Sequence, residues 1–237
     1  MESVGAVLAP FLENDGEIVT LTGSGGKTTL LWRLAGHFRA RRVLATTTTH
    51  MLMPDPGCYD RFLDGAALAG ADARAGVTFA LEAPPLKALA RAARRYDLVL
   101  VEGDGSKTLP LKGWAPYEPA VPPFSTCTIG VASLRPLGSP ATESCVFRLP
   151  LFCQQSGAAP GEVLTEAHYA AALSHPDGPM KGSRGKRILW LNQAESAEDF
   201  RRAEGIARRL PDHFAGALSA VCAGSARNDE GVLLWKG

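Results

Sequence analysis

A glycine-rich run between an apolar stretch and a helical pattern constrains the fold of this sequence more than any other feature. Residues 17–22, Glu-Ile-Val-Thr-Leu-Thr, have the β-branched and apolar content of a buried strand. Residues 27–41 place leucine, alanine and phenylalanine side chains along one helix face. The run Gly23-Ser24-Gly25-Gly26-Lys27-Thr28-Thr29 joins the two. A strand, a glycine loop and a helix in this order are typical of a phosphate-binding loop in an α/β protein.

The residue types of this loop suit a polyphosphate. Its three glycines allow backbone N–H groups to turn toward an anion, and the start of the following helix adds its positive dipole end. We predict that residues 23–29 bind the phosphates of a nucleotide, that Lys27 contacts the β- and γ-phosphates, and that Thr28 ligates Mg²⁺. The strict motif has a glycine where this chain has Leu21. The shorter form resembles the loop of Mur-type ligases and of some dimeric ATPases.

An acidic pair follows the next strongly apolar strand, predicted over residues 97–101. The sequence there continues Glu102-Gly103-Asp104-Gly105-Ser106-Lys107. Two carboxylates beside a flexible glycine suit a Mg²⁺ site, so we predict that Glu102 ligates the metal together with Thr28. We assign Asp104 and Lys107 to catalysis with Lys27, because the Lys107 cation would offset charge that develops on the phosphate or acceptor. The alternative is an ordinary strand-end turn with solvated acids.

Two further strand ends carry polar residues. The strand at 43–46 runs into Thr46-Thr47-Thr48-Thr49-His50-Met51, whose hydroxyls either contact phosphate or Mg²⁺ or are simply good strand material; we interpret His50 as a surface histidine. The strand at 188–191 is followed by Asn192 and Glu195, which resemble the guanine-reading element of GTPases. Because Gln193 replaces the usual lysine, we predict only weak base selectivity, with ATP slightly favoured over GTP.

The alternation of strand and helix patterns predicts an α/β fold: three layers, like those of P-loop NTPases, around a mostly parallel central sheet. We predict a single nucleotide-binding domain over residues 1–237. Further strands are predicted at 126–131, 145–147, 217–223 and 231–235, and further helices at 86–95, 165–174 and 197–210. Glycine and proline density predicts a long functional loop at 103–123 and a mobile loop or subdomain junction at 175–186.

Composition excludes several classes of function. The 237 residues include 25 Lys and Arg against 24 Asp and Glu, a net charge of +1 that argues against nucleic-acid binding. The apolar runs are too short for a membrane span, and from residues 1–4 we expect no secretory leader. The five cysteines form no Cys-x-x-Cys pair, which argues against a disulfide framework or a zinc site. We therefore expect a cytoplasmic protein.

Taken together, these motifs resemble the YqeC family. The resemblance rests on residues 23–29 and 46–51, on the run Asp104-Gly105-Ser106-Lys107-Thr108-Leu109-Pro110-Leu111-Lys112, and on Glu118-Pro119-Ala120-Val121-Pro122. That family is described as accessory factors of selenium-dependent molybdenum hydroxylases. The resemblance implies an NTPase that serves maturation of such a cofactor or hydroxylase. A small-molecule kinase or ligase, and a nucleotide-gated delivery protein with little turnover, remain alternatives.

Overall fold

A nine-stranded sheet forms the centre of the protein; the computed structural model describes residues 1–49, 53–64, 67–68, 70, 72–81 and 83–237. The strands are β1 Glu17–Gly23, β2 Arg42–Thr47, β3 Arg61–Leu63, β4 Gly76–Ala80, β5 Leu98–Glu102, β6 Leu111–Lys112, β7 Cys127–Ser133, β8 Val146–Phe147, β9 Lys186–Asn192, β10 Ala220–Ser225 and β11 Glu230–Lys236. The large sheet has the order β11-β10-β9-β7-β1-β5-β2-β4-β3, and only β10 and β11 pair antiparallel within it. The short strands β6 and β8 form a second sheet.

Helices cover both faces of the large sheet. They are α1 Val4–Leu12, α2 Lys27–His37, α3 Leu86–Ala93, α4 Leu149–Ser156, α5 Glu166–Ser174, α6 Ala197–Arg209 and α7 Asp212–Ala215. Along β9, Trp190 packs with α1 and α2, whereas Leu189 and Leu191 pack with α4, α5 and α6. Along β5, Leu100 packs in the α1–α2 core, whereas Val99 and Val101 pack with α3. This alternation of period two confirms the predicted three-layer α/β fold with a mostly parallel sheet.

The glycine loop leaves the sheet near its middle. Strand β1 lies between β5 and β7, with Leu21 opposite Glu102 and Gly23 opposite Val131. The three strands run parallel, so their carboxyl ends meet at one edge of the sheet, where ligands of open α/β folds bind. The loop after β1 and the acidic residues after β5 therefore lie side by side.

The elements differ from the sequence predictions in a few places. Helix α2 ends at His37 instead of residue 41, because the chain leaves helical geometry at Phe38. Helices α1 and α4 and strands β3 and β4 were not predicted at all. The loop predicted at 103–123 contains β6, which pairs with β8.

The glycine- and proline-rich segment 175–186, predicted as a mobile loop or a junction, lies against the central strands. The Thr22 hydroxyl donates a hydrogen bond of 2.7 Å to the carbonyl of Pro179. A Cβ atom at Gly130 would lie 2.8 Å from Cε of Met180, so the two segments approach closely. No helix in the described part of the chain is long and apolar enough to cross a membrane.

Candidate nucleotide site

The loop after β1 requires its glycines. Gly23, Gly25 and Gly26 all have positive φ, +92°, +75° and +117°, which L side chains rarely adopt. A Cβ atom at Gly23 would lie 2.1 Å from the carbonyl oxygen of Val131 on β7. The backbone N–H of Ser24 donates to that same oxygen at 2.9 Å. The loop is therefore held closely against β7 and can turn its backbone only because side chains are absent.

The predicted lysine, threonine and glutamate come together at this loop. The Lys27 ammonium is buried and donates to the carbonyl of Gly23 at 2.7 Å, with Oε1 of Glu102 at 3.8 Å and Oδ1 of Asp104 at 3.5 Å. The Thr28 hydroxyl donates to Oε2 of Glu102 at 2.8 Å. Both carboxylates thus face the Lys27 loop, and Thr28 and Glu102 share one point of the site.

Glu102 has an unusual electrostatic environment. Burial raises the pKa of its carboxyl above the ordinary value, against the opposing effects of the Lys27 charge and the Thr28 hydrogen bond, while the nearby Asp104 raises it further. A hydroxyl and a carboxylate oxygen are ligands that Mg²⁺ prefers, and Mg²⁺ commonly takes only one or two protein carboxylates beside phosphates and water. Among the described residues no group of three His, Cys, Asp or Glu side chains could hold a metal alone. The pair therefore fits Mg²⁺ that is shared with phosphate.

Asp104 is fully buried and braces the loop. Its Oδ2 accepts hydrogen bonds of 3.1 Å each from the Gly23 N–H, the Trp114 indole and the Lys112 ammonium. Its Oδ1 has no hydrogen-bond donor among the described residues and faces Lys27. One oxygen therefore holds the loop, and the other is available beside Lys27.

A chain of buried ion pairs continues from Asp104 away from the loop. Lys112, which is completely buried, donates to the carbonyl of Gly105 at 2.7 Å and lies 3.0 Å from Oε2 of Glu118. Glu118 also pairs with Arg148. Burial alone would raise the pKa of Glu118, but the charges and hydrogen bonds of Lys112 and Arg148 hold it below its ordinary value. In the sequence, Lys112 and Glu118 are members of a motif with no predicted role of their own, and no sequence signal indicates a role for Arg148.

The glycine loop and the residues that face it line one cleft of about 620 Å³. Its lining comprises Gly25, Gly26, Lys27, Thr28, Thr29, Thr49, Glu102, Gly105, Ser106, Lys107, Thr108, Glu118, Phe147 and Arg148. Lys107, assigned to catalysis from the sequence, lies in this lining with its ammonium 5.4 Å from the centre of the Phe147 ring. The cleft therefore contains the glycine loop, the end of β5 and the segment after it, the residues Phe147 and Arg148, and the single residues Thr49 and Glu118.

The threonine run after β2 serves mainly to hold the backbone. The Thr46 hydroxyl donates to the carbonyl of Ala80 at 3.0 Å, and the Thr47 hydroxyl donates to that of Glu102 at 3.1 Å. Thr49 lines the cleft. His50 and Met51 lie outside the described residues. The run thus supports the strand end that carries Glu102.

The two residues predicted to read the base have different positions. The Asn192 amide donates to the carbonyl of Gly25 at 2.7 Å and accepts from the Trp190 indole at 3.1 Å, so it braces the loop. Glu195 is exposed, accepts a hydrogen bond of 2.9 Å from Ser225 and is absent from the lining of the cleft. The structure therefore brings Asn192 to the loop but leaves Glu195 outside the cleft. Base reading by the two residues stays a prediction.

Comparison with known proteins agrees with the motifs. The YqeC protein family matches residues 19–150, which run from β1 through the glycine loop and both acids into α4. The Uncharacterized protein YqeC of Escherichia coli (strain K12) is 31% identical over 221 residues, which cover 85% of this chain and 85% of that protein. The match includes every residue of the cleft, and the chain therefore belongs to the YqeC family.

Proposed function

We propose that the protein binds a magnesium nucleoside triphosphate in this cleft and hydrolyses it slowly. The observation that carries the proposal is the arrangement of Lys27 and Thr28 at the start of α2 around Glu102 at the end of β5: the Glu102 carboxylate lies 2.8 Å from the Thr28 hydroxyl and 3.8 Å from the Lys27 ammonium. A buried ammonium at the start of a helix, beside a glycine loop with positive φ, suits phosphates better than any apolar ligand.

Each residue has a distinct part in this proposal. The N–H groups of residues 23–29 and the start of α2 bind phosphate oxygens, and Lys27 exchanges its hydrogen bond to the Gly23 carbonyl for contacts with the β- and γ-phosphates. Thr28 and Glu102 hold Mg²⁺, which neutralises charge on those phosphates. Asp104 keeps Gly23 and Lys27 in position through its two oxygens. Lys107 offsets the charge that develops at the γ-phosphate or on the acceptor.

For the cellular role, we propose an accessory function in maturation of a selenium- or molybdenum-containing hydroxylase or of its cofactor. The support is membership of the YqeC family, together with the accessory role that the resemblance to this family implies. Slow basal phosphate release that a client protein stimulates is the expected behaviour. A nucleotide-gated delivery protein would instead bind nucleotide tightly and release no phosphate.

A second candidate is a small-molecule kinase or ATP-dependent ligase. It is favoured by the extent of the cleft, because the lining continues past the phosphate-binding loop to Lys107, Phe147 and Arg148. Such an enzyme forms a product only when its acceptor is present, whereas an accessory NTPase releases phosphate without one. Phosphate release measured with and without candidate acceptors separates the two functions.

Substitution of Lys27 tests nucleotide binding directly. Loss of charge-assisted contacts to a buried phosphate should cost about 2–4 kcal/mol. We therefore expect calorimetry to show at least a thirtyfold weaker affinity of Lys27→Ala for Mg-ATP, with the fold retained by circular dichroism. The control is Lys87→Ala, which removes an exposed cation from α3. Equal affinities of Lys27→Ala and wild type would refute the proposal.

We expect the nucleotide to be ATP, with GTP as the alternative. A carboxylate that contacts the base would favour guanine, since adenine offers it no N1–H or 2-amino donor. The ratio of ATP to GTP affinities, measured for wild type and Glu195→Ala, decides whether Glu195 contributes. An unchanged ratio removes Glu195 from the site.

A further inference from the structure

The cleft extends beyond the glycine loop into a second part. This part is formed by residues 105–108, by Glu118 and by Phe147 with Arg148. The pairing of β6 with β8 joins these two segments: Lys112 is opposite Phe147, and the Gly113 N–H donates to the Phe147 carbonyl at 2.8 Å. A Cβ atom at Gly25 would lie 2.7 Å from the carbonyl oxygen of Pro110, so the chain that follows residues 105–108 packs closely against the glycine loop.

Cations gather in this second part around one aromatic ring. The guanidinium of Arg148 lies 4.5 Å from the centre of the Phe147 ring, and the ammonium of Lys107 lies 5.4 Å from it. Glu118 is the one carboxylate in this part of the lining, and it already pairs with both Lys112 and Arg148. Among the described residues, Lys107 has no ion pair and no side-chain hydrogen bond. The balance of charge is therefore positive.

The backbone at these cations is strained. Lys107, Thr108 and Arg148 have φ of +50°, +65° and +57°, and they are three of the five non-glycine residues with positive φ in the described chain. Such conformations are unfavourable for L side chains and persist where the surrounding structure imposes them, often at ligand sites. Here the strain falls on the two residues that bring positive charge into the cleft.

We propose that Lys107 and Arg148 bind the oxyanion of a second ligand, a phosphate or carboxylate group, beside the nucleotide. Arg148 donates from Nη1 to Glu118 and from Nη2 to the Tyr117 hydroxyl at 3.0 Å. This leaves its remaining N–H donors for such a group, and the Lys107 ammonium adds a point charge. The proposal rests on the proposed function in placing a triphosphate in the same cleft. It makes the partner of the nucleotide an anionic small molecule.

The test uses inorganic phosphate and acetate as probes. Each is titrated by calorimetry into protein saturated with Mg²⁺ and a non-hydrolysable ATP analogue, so that the phosphate-binding loop is occupied. We expect at least one probe to bind, and phosphate binding without acetate binding identifies a phosphate-bearing ligand. Arg148→Asn, whose asparagine tolerates positive φ, should weaken that binding at least about tenfold. Arg148→Lys should recover part of the affinity, and Lys87→Ala should leave it unchanged.

The outcomes separate this proposal from the nucleotide proposal. No binding of either probe, or equal binding by wild type and Arg148→Asn, overturns the second anion site. If the ATP analogue itself fails to bind, the proposed function fails, and the same titrations on nucleotide-free protein still test the second site. Lys107→Asn provides a second variant if Arg148→Asn fails to fold, with the same loss of affinity expected.

Discussion

Replacement of Lys112 by methionine tests the ion pairs Asp104–Lys112, Lys112–Glu118 and Glu118–Arg148, which lead from the glycine loop to Arg148. Methionine fills a similar volume with a flexible apolar chain, so the change removes mainly the charge. Lys112 is fully buried and lies 3.1 Å from the Asp104 carboxylate and 3.0 Å from the Glu118 carboxylate. Each pair is worth about 5 kcal/mol of Coulomb attraction at an effective dielectric constant of ~20, before the cost of desolvation is subtracted.

Removal of one partner of a buried pair leaves the other charge uncompensated. This typically costs about 3–5 kcal/mol, a large part of the roughly 5–15 kcal/mol that stabilises a native protein. We expect Lys112→Met to lose about that much free energy of unfolding at pH 7. Asp104 is the residue most affected, since it has no exposure and retains only Lys27 as a neighbouring cation.

Urea unfolding followed by fluorescence and by circular dichroism measures the loss. The control Lys87→Met removes an exposed cation and should change the free energy by no more than about 0.5 kcal/mol. The double variant Lys112→Met/Asp104→Asn removes the stranded charge and should be more stable than the sum of the two single losses implies. A free energy for Lys112→Met within about 1 kcal/mol of wild type would refute this account of the ion pairs.

Two further variants test the loop and the acidic residue. Gly26→Ala should abolish nucleotide binding in calorimetry, because the backbone has φ +117° and the new Cβ would lie 2.1 Å from the Asn192 amide. The control is Gly36→Ala in α2, where a Cβ atom meets open space. It should stabilise the fold by about 0.5–1 kcal/mol. In the folded wild type the pKa of the Glu102 carboxyl is raised above its ordinary value, so its ionisation destabilises the fold. The free energy of unfolding of wild type should therefore fall as pH rises from the ordinary pKa through the raised one. Glu102→Gln has no carboxyl at this position and should not show this loss. Urea unfolding from pH 4 to pH 7 measures this difference, and parallel curves would contradict it.

The sequence predicted the central part of the site because its signals are local. The glycine loop follows β1 directly, and Glu102 ends β5, so the rule that parallel strands end at one edge was enough to place them together. The helices α5 and α6 are preceded by the N-cap residues Thr165 and Ser196, whose side chains form capping boxes. Such signals lie within a few residues and need no knowledge of the tertiary structure.

The ion pairs beside the cleft depend on contacts that no local sequence pattern predicts. A lysine among prolines and glycines, such as Lys112, has the sequence appearance of a solvated residue. Its burial results from Asp104, Glu118 and the pairing with Phe147 on β8, none of which produces a periodic pattern. Helix α1 was missed for a local reason, since Pro10 lies inside it.

The central position of β1 has a consequence for how the protein folds during its synthesis on the ribosome. β1 is synthesised early, yet Glu17 pairs with Leu98 and Val19 pairs with Cys127, so its neighbours on both sides emerge much later. The N–H groups of Gly23 and Ser24 donate to Asp104 and to the Val131 carbonyl, and both acceptors are likewise synthesised later than the donors. Pairing of this kind is slow and leaves apolar strands open during synthesis. The glycine loop can therefore take its native geometry only in chains that have grown beyond β7.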